Sequence, residues 1–279
     1  MKKQTKVLFI SQEIDPYICE SEIATMCRRL PQLVQERGSE IRVFMPCYGN
    51  INERRNQLHE VQRLSGLNII INDNDHPLVI KVASIQSARV QVYFIDNDDF
   101  FKRGGVSNDE NNVPFEDNDE RSIFFVRSAL ETIKKLRWTP DLIVCTGWIS
   151  AIAPMFIKKS YITDPFFATS KIIYNICPQR LECPLRPGIT DRLTFEGISV
   201  GDYPELMNIN TLTSDALDSL AIRYSDAVIS EYASVPNSVL RQIETCKVQY
   251  LAYSDQTSAE RHYEFFANIC PKFKDDEQQ

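Results

Sequence analysis

Histidine is scarce in this chain. Among 279 residues there are three, His59, His76 and His262, and none stands beside a serine or cysteine in a nucleophile motif. That disfavours a Ser/His/Asp hydrolase and a multi-histidine metalloenzyme. Glycine is scarce too, with nine residues, and no Gly-x-Gly-x-x-Gly follows any strand-like run, so the dinucleotide fingerprint is missing. The eight cysteines (Cys19, Cys27, Cys47, Cys145, Cys177, Cys183, Cys246, Cys270) form no Cys-x-x-Cys pair and have no histidine at ligand spacing, which argues against zinc. They read as small buried hydrophobes or free thiols rather than disulfides. No stretch approaches the roughly 18 apolar residues of a membrane span. Met1 to Lys6 also runs directly into a strand-like segment, with no signal-peptide core. The expectation is a cytoplasmic protein without a membrane partner. Lys and Arg are scattered and the net charge is -7, so nucleic acid is not an expected partner either.

What is present is an ordinary globular composition, 43% hydrophobic and 25% charged, which excludes collagenous and wholly disordered chains. Short apolar runs recur at Val7–Ile10, Ile41–Met45, Leu142–Cys145, Ile172–Tyr174 and Ala227–Ile229, each next to a segment with helical spacing. Such runs predict buried parallel strands. Between the first two, Ile23, Met26, Cys27, Leu30, Leu33 and Val34 fall at spacings of three and four, a helix that stops near Gly38. A second helix is expected from the acidic Asp117–Glu120 to Leu136, stopped by Pro140.

The stretch from residue 59 to 96 carries closely spaced β-rich runs, Leu67–Ile71, Leu78–Ile85 and Val90–Ile95, and predicts a small antiparallel insertion. Two segments read as loops that could move, Ser107–Glu116 and the Pro/Gly-punctuated Cys183–Glu205. The tail regains helical spacing through Tyr263, Phe266, Ile269 and Cys270, a helix at about residues 258–270. The fold class is therefore α/β: one doubly wound, Rossmann-like parallel sheet with a small antiparallel β insertion, a single domain over residues 1–279.

Particular segments carry a family likeness. Lys6–Tyr17, Leu30–Pro31, Ile41–Gly49, Val92–Asn97, Asp117–Arg121 with Phe124–Phe125, Trp138–Cys145 with Trp148 and Ala151–Pro154, and Tyr224–Ser230 occur in an order that resembles the bacterial glycogen/starch synthases, glycosyltransferase family 5. The resemblance is closest to short bacterial relatives that keep the N-terminal half. It implies a GT-B fold, two Rossmann-like domains with the active site in the cleft between them, of which this chain supplies one. Nothing in it resembles the second half, which in the family carries most ADP-glucose contacts and the catalytic carboxylate. The helix near residues 258–270 resembles the crossover helix that GT-B proteins send back onto the first domain, and an amphipathic packing helix reads equally well.

The resemblance also marks what has changed. The family's Lys-Thr-Gly-Gly-Leu phosphate loop aligns with Cys19-Glu20-Ser21-Glu22-Ile23, so the cation and both glycines are gone and two carboxylates stand in their place. A simpler role for Ser21 and Glu22 is to cap the helix and complement its dipole. The histidine of His-Asp-Trp is Thr146, and the histidine of Thr-Ile-His-Asn is Cys177, followed by Pro178. A thiol cannot replace an imidazole as a partner for sugar hydroxyls, and proline removes a backbone donor.

Cys19, Thr146 and Cys177 are thus altered catalytic positions, with no intact catalytic set. Glu13, Tyr17 and Trp148 remain as candidate substrate contacts, with Trp148 either stacking on a sugar or filling the core. The acidic Asp96–Asp99 turn reads as a solvated loop, so no metal and no cofactor are expected. Two functions are open. One is a non-catalytic binding or regulatory module in α-glucan metabolism. The other is an active glucosyltransferase half completed by a partner chain. Expected partners are an α-glucan, a synthase chain, or a second copy in a homodimer.

Overall fold

The computed structural model describes residues 4–19, 21–86, 88–254 and 259–273. Its strands are β1 (Lys6–Ser11), β2 (Glu40–Pro46), β3 (His59–Glu60), β4 (Leu67–Ile71), β5 (Asn74–Ile85), β6 (Val90–Asp96), β7 (Leu142–Thr146), β8 (Lys171–Ile176), β9 (Glu182–Pro184), β10 (Thr211–Thr213), β11 (Ala227–Ser230) and β12 (Gln249–Leu251). Its helices are α1 (Glu22–Glu36), α2 (Asp98–Phe101), α3 (Asn118–Lys135), α4 (Ala153–Lys159), α5 (Ile189–Leu193), α6 (Ser214–Tyr224), α7 (Asn237–Cys246) and α8 (Ala259–Ile269).

Every predicted parallel strand forms, and the apolar runs are continuous because helices cover both faces of the sheet. β1 lies at its centre, parallel to β2 and to β7, with Phe9 opposite Val43 on one side and Val144 on the other. The strand order is β12-β11-β8-β7-β1-β2-β6-β5-β3, with β4 paired to β5. From β1 the chain builds outward to β2 and then crosses to β7, so the order reverses between β1 and β7. In open α/β sheets that reversal opens a crevice at the carboxyl ends of the two strands.

The β-rich segment is antiparallel within itself, as expected, and joins the edge of the main sheet. β6 runs parallel to β2, and β5 pairs antiparallel with β6, so residues 59–96 extend the same sheet. α1 ends as its spacing predicts: Gly38 takes a φ of 94° and donates its amide to the carbonyl of Gln35 at 2.9 Å. α3 begins at Asn118, but Asp117 makes no side-chain cap and instead pairs with Arg103 at 2.5 Å.

The Cys183–Glu205 segment is more ordered than its composition suggests. It holds β9, α5 and two 3-10 turns, and Leu193, Ile198 and Tyr203 are buried. Arg192, itself buried, reaches Asp119 of α3 at 2.9 Å, and Arg186 reaches Glu120 at 2.8 Å. Long-range ion pairs of this kind leave no periodic trace in a sequence. The Ser107–Glu116 loop is tied as well, by Phe115 donating to Ser107 at 3.0 Å and by Asp109 accepting from Asn111 and Val113. Among the described residues no helix is long and apolar enough to cross a membrane.

The acidic turn after β6 also differs from expectation, because half of it is interior. Asp96 is buried against Lys81 at 2.6 Å, and Asn97 caps α2 by accepting from the amides of Asp99 and Phe100. Only Asp98 and Asp99 face solvent. Cys47, Glu53 and Asp96 offer ligand atoms within 4.8 Å of one another, and the Lys81 ammonium sits on both carboxylates, 2.7 Å from Glu53. Burial works against that ammonium, but its bonds to Asp96 and Glu53 outweigh burial and raise its pKa. Lysine is therefore the cation of this cluster.

Candidate functional site

The crevice at the switch point is held together by Gln12, the first residue beyond β1. Its backbone amide donates to the carbonyl of Thr146 at 3.1 Å, and its Oε1 accepts from the Trp148 amide at 3.1 Å. Its Nε2 donates to Glu13 at 2.6 Å and to Gln179 beyond β8. One carboxamide thus ties together the ends of β1, β7 and β8. Gly147 makes this closeness possible, with a φ of 84° and its backbone hard against the Gln12 side chain.

Glu13 and Trp148 meet Gln12 at this crevice, whereas Tyr17 lies toward β6, and all three are buried within the chain. Glu13 holds Gln12. Tyr17, 7% exposed, packs edge-to-face on Phe94 at 4.8 Å, and burial pushes its phenol up to about 12. Trp148, 2% exposed, lies in a 3-10 turn with its indole Nε1 buried and without a hydrogen-bond partner among the described residues.

The three positions that the sequence marked, Cys19, Thr146 and Cys177, separate into two groups. Thr146 and Cys177 share a neighbour, Cys27 of α1, whereas Cys19 is an exposed thiol donating to the carbonyl of Pro16 at 3.3 Å. Burial raises the Cys27 thiol to about 12 against the pull of hydrogen bonds with Ser11 and Thr146. Cys177, 4% exposed, is pushed well above the ordinary thiol range by burial, with Cys27, Asp218, Glu13 and Glu231 adding to the effect. It stays a neutral thiol at neutral pH, and a thiolate nucleophile is not available there.

At the head of α1, Ser21 caps the helix by accepting from the Ala24 amide at 3.3 Å, and Glu22 occupies the first turn. Glu20 lies outside the described residues. A cavity of about 330 Å³ opens here, lined by Glu22, Thr25, Met26, Pro178, Glu231 and His262, among others. His262 comes from α8 and contacts Glu231, just beyond β11, at 2.5 Å. Sequence reasoning passed over Gln12, Gln179, Glu231 and His262. The positions just past the ends of β1, β8 and β11 were a usable signal for the first three, but His262 had none.

A doubly wound sheet with its crevice at the β1/β7 reversal, bordered by a helix N-terminus, defines a Rossmann-like α/β domain. The sequence profile of the starch synthase catalytic domain matches residues 6–247, and the chain belongs to that family. It is 32% identical over 234 residues to a glycogen synthase of Chlorobium limicola, covering 82% of this chain and 48% of that protein. A glycogen synthase of Pelodictyon phaeoclathratiforme is 35% identical over 176 residues, 63% of this chain and 36% of the relative. The chain spans about half the length, or less, of these curated relatives. The fold matches the catalytic domain of starch synthase IV from Arabidopsis thaliana, solved with ADP and acarbose, at a TM-score of 0.72 and 16% identity, over 90% of this chain and 51% of that one.

Proposed function

We propose that this chain does not transfer glucose on its own and serves as a binding or regulatory module in α-glucan metabolism. The observation that carries this reading is the head of α1. A helix N-terminus is a ready anion site when its amides are free and a cation stands near. Here Ser21 takes one of those amides, Glu22 lines the adjoining cavity, and the loop position that resembles the family's lysine is the exposed Cys19. One carboxylate about 6 Å from a phosphate charge costs roughly 2 to 3 kcal/mol at an effective dielectric of about 20. Pro178 on the cavity wall donates no amide, and Cys177 beside it is a neutral, buried thiol. The donor subsite is filled by the protein's own groups.

A second reading rests on length. Because the chain spans about half of relatives named glycogen synthase, an active transferase completed by a partner chain fits that fact equally well. Release of ADP from ADP-glucose with added glycogen separates the two. None is expected from the purified chain. Sustained release by the chain alone would overturn the proposal, and release only after mixing with a second protein would establish the split transferase. Calorimetry with a malto-oligosaccharide and with ADP-glucose tests the binding role, with binding expected for the first and none for the second.

The partner we propose, a second copy or a synthase chain, would seat on the rim of the crevice, because Tyr17, Trp148 and Cys177 are already covered by their own chain. Light scattering over a concentration series reads this directly. A monodisperse monomer with no co-purifying chain would remove the interaction role.

A further inference from the structure

The cavity at the head of α1 has one wall that comes from a distant part of the chain. That wall is α8, and its two ends are held by different forces. Toward its end, Phe266, Ile269 and Cys270 are buried, and Phe273 just beyond packs against the Tyr263 and Phe266 rings at 5.5 and 6.3 Å. Lys272 pairs there with Asp141 at the foot of β7. The first turns carry polar contacts beside the buried His262 and Tyr263. Glu260 meets Arg37 of α1 at 3.2 Å, the Arg37 guanidinium lies 4.6 Å from the Tyr263 ring centroid, and His262 meets Glu231 across the cavity at 2.5 Å.

These anchors differ in what opening costs. Exposing buried apolar side chains is costly, and α8 would have to expose Phe266, Ile269, Cys270 and Phe273 at its far end against Tyr263 nearer its start. A polar contact can be exchanged for water at a smaller net cost. Opening is therefore cheapest at the His262 end, with the Phe266–Phe273 cluster as pivot.

We propose that α8 is a gate on the α1 cavity, with the His262–Glu231 contact as its latch, so that opening the latch admits a ligand to the head of α1 and the end of β8. The proposal rests on the binding role given above and supplies its regulation. Cys177 is the chosen reporter, because it directly precedes Pro178 of the cavity wall and is buried, at 4% exposure.

The test uses the full chain with no ligand, so its outcome is independent of whether any glucan binds. Alkylation by N-ethylmaleimide is followed residue by residue with mass spectrometry in the parent, His262→Gln and Glu231→Gln. Cys19, already exposed, reports reagent activity, and Cys145, buried within β7, reports global unfolding. Loss of the latch contact predicts roughly tenfold faster labelling of Cys177 in both variants, with Cys145 unchanged. An unchanged Cys177 rate, or a rise matched by Cys145, overturns the gate. Hydrogen exchange on the parent guards against a variant that fails to fold. The first turns of α8 and of α1 should exchange together through an opening smaller than global unfolding, and exchange only in step with β1 overturns the proposal as well.

Discussion

A Cβ placed on Gly147 would lie 2.4 Å from Oε1 of Gln12 and 2.7 Å from its Cβ. Since the Gln12 side chain also holds the Trp148 amide, Glu13 and Gln179, it cannot simply swing aside. Gly147→Ala should destabilise the chain by about 2 to 4 kcal/mol, combining clash with a left-handed φ. Gln12→Ala in the same chain should recover part of that loss, because it removes the colliding atoms. Urea unfolding of the two single variants and the double variant measures the coupling, and strictly additive losses would show that the two residues do not collide.

Ser21→Ala should cost about 1 kcal/mol, the usual worth of a helix cap, whereas Ser21→Gly should cost only a few tenths. If the two substitutions cost the same, the hydroxyl is not capping α1. Urea midpoints at constant slope decide between these outcomes.

Restoring the phosphate loop with Cys19→Lys, Glu20→Thr, Ser21→Gly and Glu22→Gly should not produce glucosyl transfer, since Thr146, Cys177 and Pro178 remain. It should weaken the repulsion of anions, so calorimetry should find weak nucleotide binding in the variant and none in the parent. Tight ADP-glucose binding by the parent would remove the electrostatic argument.

Asp218 of α6 is buried beneath Arg180, at 3.2 Å, and accepts from the Tyr174 hydroxyl at 2.6 Å. Burial raises its carboxyl from 3.8 to about 6, outweighing the lowering by Tyr174 and Arg180. The folded chain therefore binds this proton more tightly than the unfolded chain. Its contribution to stability is fully present below pH 3.8 and is lost as pH rises through about 6, amounting to at most about 3 kcal/mol. Asp218→Asn keeps the acceptor for Tyr174 and lacks the titration, while Arg180 retains Asp215. Relative to the parent, the variant should gain stability between pH 4 and pH 7.5. A difference that stays flat across that range would contradict the burial argument.

The parallel strands, the length of α1 and the family were legible because each rests on local or ordered signals: continuous apolar runs, spacings of three and four, and motifs in sequence. The Cys183–Glu205 segment was not, since Arg192 and Arg186 find Asp119 and Glu120 only when two stretches more than 60 residues apart are folded together. The acidic turn was misjudged because composition showed the β5–β6 pair but not its register, which brings Lys81 to Asp96.

By itself, the sequence determined the fold class and the family, because those are matters of residue type and order. Only the tertiary structure decided that Gln12 ties the crevice, that Cys27 joins Thr146 to Cys177, and that α8 closes the head of α1 through His262. Those are meetings of side chains far apart in the chain, set by packing and hydrogen-bond geometry once the sheet has brought its strand ends together.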